Sequence, residues 1–219
     1  MKKVVILMGL PGCGKGTQAK LLAQKYNYDH ISSGQILRGL LQRENLNDLE
    51  KQAVTLMKKG ALVDDEFVFG LVTQEMEKSL SKNIPVILDG VIRNLVQAEI
   101  YWDYFKKRGL EKDVILVKLA ISEEEAFDRL TKRRICNQCG EIIPWAPETY
   151  DLKNCPKCHG VLEVRADDDP EIIRERIIKQ GRAALWPVME FFDQFGVTAK
   201  IDGKRPMTEI LQDIEKTIQ

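Results

Sequence analysis

The sequence predicts an α/β fold in which helices cover both faces of a parallel β-sheet. Four short apolar runs, at residues 3–8, 85–88, 114–119 and 197–201, are separated by stretches with helical spacing. Unbroken apolar runs of this length are typical of strands buried on both faces, and strands that alternate with helices form parallel sheets. A glycine-rich turn also joins the first run to a helical stretch at 17–26. We therefore expect the chain to begin with a buried strand, a turn and a helix.

The size and charge of the chain exclude some classes of function. Its 219 residues are 44% hydrophobic, enough for one main domain with small additions. The 33 basic and 33 acidic residues balance, which gives no bulk electrostatic case for nucleic acid or an anionic membrane as partner. The apolar run at 4–10 is too short for a signal peptide, and the sequence has no stretch of 18 apolar residues. We expect a cytoplasmic protein.

Two stretches interrupt the alternation of strands and helices. Residues 32–64 are mainly helical by pattern, with glycine breaks, and we predict that they form an insertion on the sheet. Residues 132–168 lack long periodicity and hold four cysteines, so we predict a small metal-stapled domain there. After it, Asp169 and Pro170 are typical of a helix start, and this helix is predicted to run to about Arg182. The predicted core consists of residues 1–31, 65–131 and 169–219.

Residues 9–17 read GLPGCGKGT, which is typical of a phosphate-binding loop. Its glycines let backbone amides curl round a phosphate, the following helix adds partial positive charge, and Lys15 can reach the terminal phosphates. Gly16 stands between this lysine and the hydroxyl of Thr17. An ordinary glycine-rich turn is the alternative, but the strand and helix on either side favour the phosphate loop. The predicted nucleotide-binding residues here are Gly12, Cys13, Gly14, Lys15, Gly16 and Thr17.

Asp89 ends the apolar run at 86–88 and precedes Gly90. Its carboxylate is expected beside the phosphate loop, at the carboxyl edge of the sheet, where it would suit Mg²⁺ held through water. A simple turn-forming aspartate is the alternative interpretation. The phosphate loop upstream favours the metal role.

Two CxxC pairs predict a zinc site. Fifteen residues separate Cys136-x2-Cys139 from Cys155-x2-Cys158, a spacing typical of four-thiolate zinc knuckles. Disulfides are the alternative, and metal ligation in a reducing compartment fits the paired spacing better. Four cysteines close the coordination shell, so the zinc is expected to be structural.

Several arginines lie in the segments where the negative charge of phosphates would need to be neutralised. The alternative interpretation is that they lie on the solvated surface, where most such residues are found. Arg174 and Arg176 are two apart on a predicted helix, so at most one should face a cleft. The candidates are Arg38, Arg93, Arg129, Arg133, Arg134, Arg165, Arg174 and Arg176.

Six segments, in order along nearly the whole chain, resemble the adenylate kinase family in its long form with a zinc-bearing lid. They read GLPGCGKGTQ, ISSGQILR, KKGALVDDEFV, LDGVIRNLVQAE, RLTKRRIC with the cysteine pairs, and RADD followed by RER. The resemblance implies a P-loop NTPase-type sheet of five parallel strands, a helical insertion at 32–64 that binds a nucleoside monophosphate, and a lid at 132–168. It further implies a monomer that transfers a phosphoryl group in line from ATP, with Mg²⁺, to AMP.

The resemblance also assigns roles to individual residues. Lys15 would hold the transferred phosphoryl group, Asp89 would hold Mg²⁺, and the lid side would stabilise the charge through Arg133, Arg165 and Arg176. Arg129 would stack on the ATP base, with Lys204 in the flanking turn. The implied AMP-binding residues are Ser33, Arg38, Leu62, Val63, Gly90, Arg93 and Gln97.

The acceptor side departs from the family at Gln35, Val91 and Ile92, so we expect an acceptor pocket of different shape. AMP is still favoured because the amide of Gln97 can both donate to and accept from the adenine edge. Ser33 keeps a hydroxyl where adenylate kinases carry threonine and UMP/CMP relatives tend to have alanine.

Two alternatives to an AMP kinase stay open. The first is a kinase of the same family for UMP, CMP or another monophosphate. The second is an ATP-gated zinc-ribbon protein that binds nucleic acid and has no kinase activity. Zero net charge disfavours the second, because such binders usually present a basic surface.

Overall fold

A computed structural model describes residues 1–58, 63–164 and 168–219. The strands in this part of the chain are β1 (Val4–Met8), β2 (Asp29–Ser32), β3 (Val86–Asp89), β4 (Val114–Ala120), β5 (Arg134–Cys136), β6 (Ile142–Ile143), β7 (Leu162–Val164) and β8 (Thr198–Asp202). The helices are α1 (Lys15–Tyr26), α2 (Ser33–Leu40), α3 (Asp48–Lys58), α4 (Asp65–Leu80), α5 (Leu95–Lys107), α6 (Glu123–Lys132), α7 (Pro170–Lys179), α8 (Arg182–Asp193) and α9 (Met207–Ile218).

Five strands form one parallel sheet in the order β2-β3-β1-β4-β8. The central strand β1 is buried along its whole length, as its apolar run predicts. This confirms the predicted sheet of five parallel strands. The apolar pattern alone locates four of them, since β2 (DHIS) is an edge strand in which only Ile31 is buried.

Helices pack on both faces of the sheet, as predicted. Alternate residues of β1 point to opposite faces, so Val4 and Ile6 belong to one buried apolar cluster and Val5 to the other. The first cluster includes Phe105 of α5, and the second includes Ile214 of α9. The sheet is therefore the middle layer of the core.

Helix α7 begins where the sequence predicts and ends earlier. The Asp169 side chain accepts hydrogen bonds from the backbone amides of Glu171 and Ile172, which caps the helix as expected. The prediction of a helix to about Arg182 was wrong, because α7 ends at Lys179 and a new helix follows Gly181. A Cβ added to this glycine would lie 2.5 Å from the backbone carbonyl oxygen of Ile177, so only glycine fits this break.

The stretch predicted as a metal-stapled domain forms its own small antiparallel sheet, in the order β6-β5-β7. It contacts the core through an ion pair of 2.6 Å between Glu141 and Lys20 of α1. The carboxylate of Glu148 also accepts a hydrogen bond from the backbone amide of Met207, at the start of α9. Among the described helices, none has both the length and the apolar character needed to cross a membrane.

Candidate active site

The phosphate-loop sequence lies at the carboxyl edge of the sheet, between β1 and α1. Gly9 has a φ of +150°, and a Cβ there would lie 2.5 Å from the backbone carbonyl oxygen of Leu119. Gly14 precedes the first turn of α1 with a φ of +99°. Both positions require glycine, because side chains rarely adopt such backbone angles or such close approach. The local sequence therefore fixes the loop at the helix N-terminus, where anions are favoured.

Lys15 folds back across this loop. Its Nζ donates hydrogen bonds to the backbone carbonyl oxygens of Gly9 at 2.8 Å and Leu10 at 3.0 Å. The side chain is half-buried and lines the cavity described next. The ammonium group is thus held beside the loop, within the space where the loop would receive phosphates.

A cavity of about 630 Å³ opens at this edge of the sheet. The loop, helix α2, the ends of β1 and β3 and residues 141–149 all contribute to its wall. The predicted site residues that line it are Gly12, Cys13, Gly14, Lys15, Gly16, Thr17, Ser33, Arg38, Asp89, Gly90, Arg93, Arg129, Arg133, Arg176 and Lys204.

Two of the predicted nucleotide-binding residues that the structure describes, Val63 and Gln97, are not part of this wall. Leu62 and Arg165 lie outside the described residues.

Asp89 is the last residue of β3, and Ser32 of β2 pairs with it in register. Its carboxylate oxygen Oδ2 lies 3.5 Å from the position that a Cβ on Gly16 would take. The same oxygen lies 3.3 Å from Nε2 of His30, a residue that the sequence analysis did not select. This carboxylate beside the loop suits a hydrated Mg²⁺ ion, which prefers one or two carboxylates and keeps several waters.

Arg133 and Arg176 both contact the carboxylate of Asp168. The sequence analysis quoted this residue within the RADD segment but did not select its side chain for a role. Arg133 donates from Nε and Nη2 to the two carboxylate oxygens, at 2.8 and 2.6 Å. Nη1 of Arg176 lies 3.6 Å from Oδ1 of Asp168, and the Asp168 side chain has no exposed surface. A buried carboxylate with bidentate geometry orients a guanidinium strongly. Asp168 therefore orients the guanidinium of Arg133, and both arginines line the cavity.

The other lid-side arginines differ in their surroundings. Arg174 is exposed and lies over the ring of Phe127, 5.0 Å from its centroid, which confirms that only one member of the pair at 174 and 176 faces the cleft. Arg134 donates to the backbone carbonyl of Thr149 at 2.7 Å and so links β5 of the small antiparallel sheet to the segment that follows β6. Arg129 lines the cavity, where Glu125 accepts from its Nε at 2.6 Å.

Ser33, Gly90 and Arg93, on another part of the cavity wall, share a compact hydrogen-bond network. Ser33 Oγ donates to the backbone carbonyl oxygen of Gly90 at 2.9 Å, and Arg93 Nε donates to the same oxygen at 2.9 Å. Gln97 Oε1 accepts from the backbone amide of Arg93 at 2.6 Å. Desolvation lowers the pKa of Arg93, and the charge of Asp89 opposes this shift.

The four cysteines of the two CxxC pairs form one thiol cluster. Their Sγ atoms all lie within 4.8 Å of one another, with Cys136 and Cys158 3.4 Å apart and Cys139 and Cys155 3.6 Å apart. These distances exceed a disulfide bond and fit tetrahedral zinc, whose 2.3 Å bonds place the sulfurs about 3.8 Å apart. A hydrogen bond from the Cys139 backbone amide lowers the pKa of Cys136 to about 7. The donor set is compatible with a zinc site.

A parallel sheet with a phosphate loop, a carboxylate beside the loop and arginines across a cavity defines a P-loop nucleotide-binding protein. The family model for adenylate kinase matches residues 7–197. The chain is 35% identical over 221 residues to the adenylate kinase of Staphylococcus aureus (strain Mu50), covering 96% of each chain. The identity and coverage are the same for the adenylate kinase of Staphylococcus epidermidis (strain RP62A).

This chain belongs to the adenylate kinase family. It is therefore a phosphotransferase enzyme, a nucleoside monophosphate kinase.

Proposed function

We propose that this chain transfers the terminal phosphoryl group of ATP directly to AMP and forms two molecules of ADP. The observation that carries the proposal is the convergence of Lys15, Arg93, Arg133 and Arg176 on one cavity of about 630 Å³, with Asp89 at its wall. Phosphoryl transfer depends on positioning and on charge stabilisation, and this arrangement supplies both. The family match supports the same activity.

Each side of the cavity has its own task in this proposal. Lys15 and the loop amides bind the ATP phosphates, with Arg129 at the base and Lys204 in the flanking turn. Arg38 and Arg93 hold the phosphate of the acceptor. Arg133 and Arg176, oriented by Asp168, stabilise the charge that spreads over the transferred group. Arg165 is assigned the same task from the family pattern.

Two metals belong to the proposal. Asp89 would hold Mg²⁺ through water, and this ion neutralises phosphate charge when ATP is bound. The cysteines at 136, 139, 155 and 158 would hold a structural zinc, because four thiolates leave no open coordination position.

We assign residues 132–168 as the lid, residues 32–64 as the acceptor-binding insertion, and the remainder as the core. The contacts from Glu141 to Lys20 and from Glu148 to Met207 support a lid that closes over the donor side. Closure excludes water, which would otherwise hydrolyse ATP on the loop. We also propose a cytoplasmic monomer without nucleic-acid or membrane partners, because clustered thiols fit a reducing compartment and the net charge is zero.

The test compares kcat/KM for AMP, CMP, UMP, GMP and dAMP at saturating MgATP. AMP is expected to give the highest value. If kcat/KM for UMP or CMP exceeds that for AMP tenfold, which corresponds to about 1.4 kcal/mol of differential transition-state binding, the assignment of AMP as acceptor is wrong, although the protein is still a nucleoside monophosphate kinase. Transfer to none of them, together with salt-dependent retention of RNA or DNA on filters, would support the zinc-ribbon alternative instead.

A further inference from the structure

Ser33, Gly90 and Arg93 form a closed hydrogen-bond ring at the acceptor side of the cavity. The Gly90 carbonyl oxygen accepts from Ser33 Oγ and from Arg93 Nε, each at 2.9 Å. Arg93 Nη2 then donates to Ser33 Oγ at 3.2 Å, which closes the ring. Gly90 has a φ of +67°, a backbone angle that favours glycine.

The hydrogen-bond capacity of Ser33 is largely used within this ring. A serine hydroxyl has one proton, and Ser33 donates it to the Gly90 carbonyl. One lone pair of the same oxygen accepts from Arg93, and the residue is only 3% exposed. The hydroxyl therefore has no proton left to donate to an acceptor base.

The ring is anchored to rigid elements. Ser32 and Asp89 pair in register as the last residues of the neighbouring strands β2 and β3, and they are followed directly by Ser33, which begins α2, and by Gly90. An arginine side chain carries large rotamer freedom, so fixing two of its nitrogens in advance reduces the ordering that a bound phosphate must impose. Ser33 is thus held at the start of a helix, and side chains on helices and strands are positioned more accurately than side chains on loops.

We infer that Ser33 is a positioning residue that orients the guanidinium of Arg93 toward the acceptor phosphate, rather than a reader of the acceptor base. This inference rests on the proposed role of Arg93 as the acceptor phosphate clamp. It differs from the expectation that places Ser33 beside the base. Loss of the hydroxyl should therefore weaken the binding of every nucleoside monophosphate by the same factor.

The experiment measures kcat and KM of Ser33→Ala, Ser33→Thr, Arg93→Ala and the double variant Ser33→Ala/Arg93→Ala with AMP, CMP, UMP and GMP. We expect Ser33→Ala to raise KM about tenfold for each acceptor that the wild type uses and to leave the KM of ATP within about twofold, since a hydrogen bond to a charged group is lost. Ser33→Thr keeps the hydroxyl and should stay near wild type. The double variant should be within about twofold of Arg93→Ala, because Ser33 acts through that side chain.

Ser81→Ala is the matched control, since this exposed serine bonds only within its own helix end and should change none of these constants. If Ser33→Ala lowers kcat/KM for AMP alone, or if its effect multiplies that of Arg93→Ala, the positioning role is overturned. Circular dichroism and thermal unfolding check that each variant is folded. If Ser33→Ala does not fold, Ser33→Cys takes its place, because the cysteine side chain is similar in size to serine but is a weak hydrogen-bond donor. A wild type that phosphorylates none of the acceptors would remove the proposed function itself, before any variant is compared.

Discussion

Lys20 of α1 and Glu141 of the lid form an ion pair of 2.6 Å, although 121 residues separate them in the chain. Both side chains are partly exposed, so the pair is worth about 0.2–1 kcal/mol. We predict that Lys20→Met or Glu141→Gln shifts the lid toward its open form and raises the KM of ATP by up to about fivefold. Steady-state kinetics at low salt measure this change.

The charge reversal Lys20→Glu/Glu141→Lys should bring the KM of ATP back toward the wild-type value. Lys25→Met is the control, because Lys25 forms an ion pair of the same length with Glu215, which lies on a core helix. If this control raises the KM of ATP as much as Lys20→Met does, the ion pair between lid and core has no special role.

Lys15 is predicted to be essential for transfer. Its ammonium lies beside the loop, at 2.8 Å from the carbonyl oxygen of Gly9, and would move to phosphate oxygens when ATP binds. We expect Lys15→Ala to lower kcat at least about a thousandfold in a folded protein, the order measured for a cation at the transferred group. Turnover near wild type, with circular dichroism unchanged, would refute this role. Lys25→Ala again serves as the exposed control.

Arg133→Ala is expected to lower kcat by the same order and also to lower stability. The Asp168 carboxylate has no exposed surface, and without Arg133 the nearest cation among the described residues is Arg176 at 3.6 Å. Removing one partner of a buried ion pair costs about 3–5 kcal/mol of stability. Because Arg133 is partly exposed, we expect a loss of stability near the lower end of this range.

The double variant Arg133→Ala/Asp168→Asn separates these two effects. It removes the uncompensated carboxylate, so part of the stability in urea unfolding should return while kcat stays low. Recovery of turnover along with stability would show that Arg133 acts only in folding.

The thiol cluster predicts one zinc ion per chain, measured by metal analysis of protein purified without chelator. None of the four cysteines lies in the parallel sheet, so removing the metal should loosen the lid and leave the core folded. Cys139→Ser should lose the zinc, whereas Cys13→Ala, at the fifth cysteine of the chain, should retain it. A zinc content near zero with all four thiols free to react would contradict the site.

Local sequence patterns predicted most of the strands of the parallel sheet. The apolar runs located β1, β3 and β4, which are mostly buried, and also β8, an edge strand in which only Ile201 is buried. The other edge strand, β2, also has one buried side chain, but its sequence DHIS contains no apolar run and gave no signal. The number of strands came from the family resemblance.

In the site, the phosphate loop, Asp89 and the cysteine pairs are contiguous motifs, so the sequence was enough to select them. The partnership of Asp168 with Arg133 spans 35 residues, and it depends on how the chain between α6 and α7 folds back on itself. The pairing of His30 with Asp89 likewise depends on two strands meeting. For Gln97, the residue type suits adenine, but its carbonyl oxygen bonds the Arg93 amide and the side chain lies outside the cavity wall.

Two buried tyrosines provide a matched test of hydrogen bonding in the core. Tyr28 donates its hydroxyl to the backbone carbonyl of Lys2 at 2.6 Å, whereas the hydroxyl of Tyr101 has no partner among the described residues. Tyr28→Phe should therefore lower the free energy of unfolding at pH 7 by about 1 kcal/mol. Tyr101→Phe should leave it unchanged or raise it by about 1 kcal/mol, since an unsatisfied buried hydroxyl is removed.

The same tyrosines predict a loss of stability at alkaline pH. Burial raises the pKa of Tyr28 from its ordinary value of 10.0 to about 12, and burial also raises the pKa of Tyr101. Between these pH values the unfolded chain releases the Tyr28 proton and the folded chain keeps it, so stability falls as pH rises, by at most about 1.4 kcal/mol per pH unit for each group. Urea unfolding from pH 9 to 11.5 should show this fall in the wild type and a shallower fall in each phenylalanine variant. Parallel curves for the wild type and both variants would mean that neither hydroxyl is desolvated by folding.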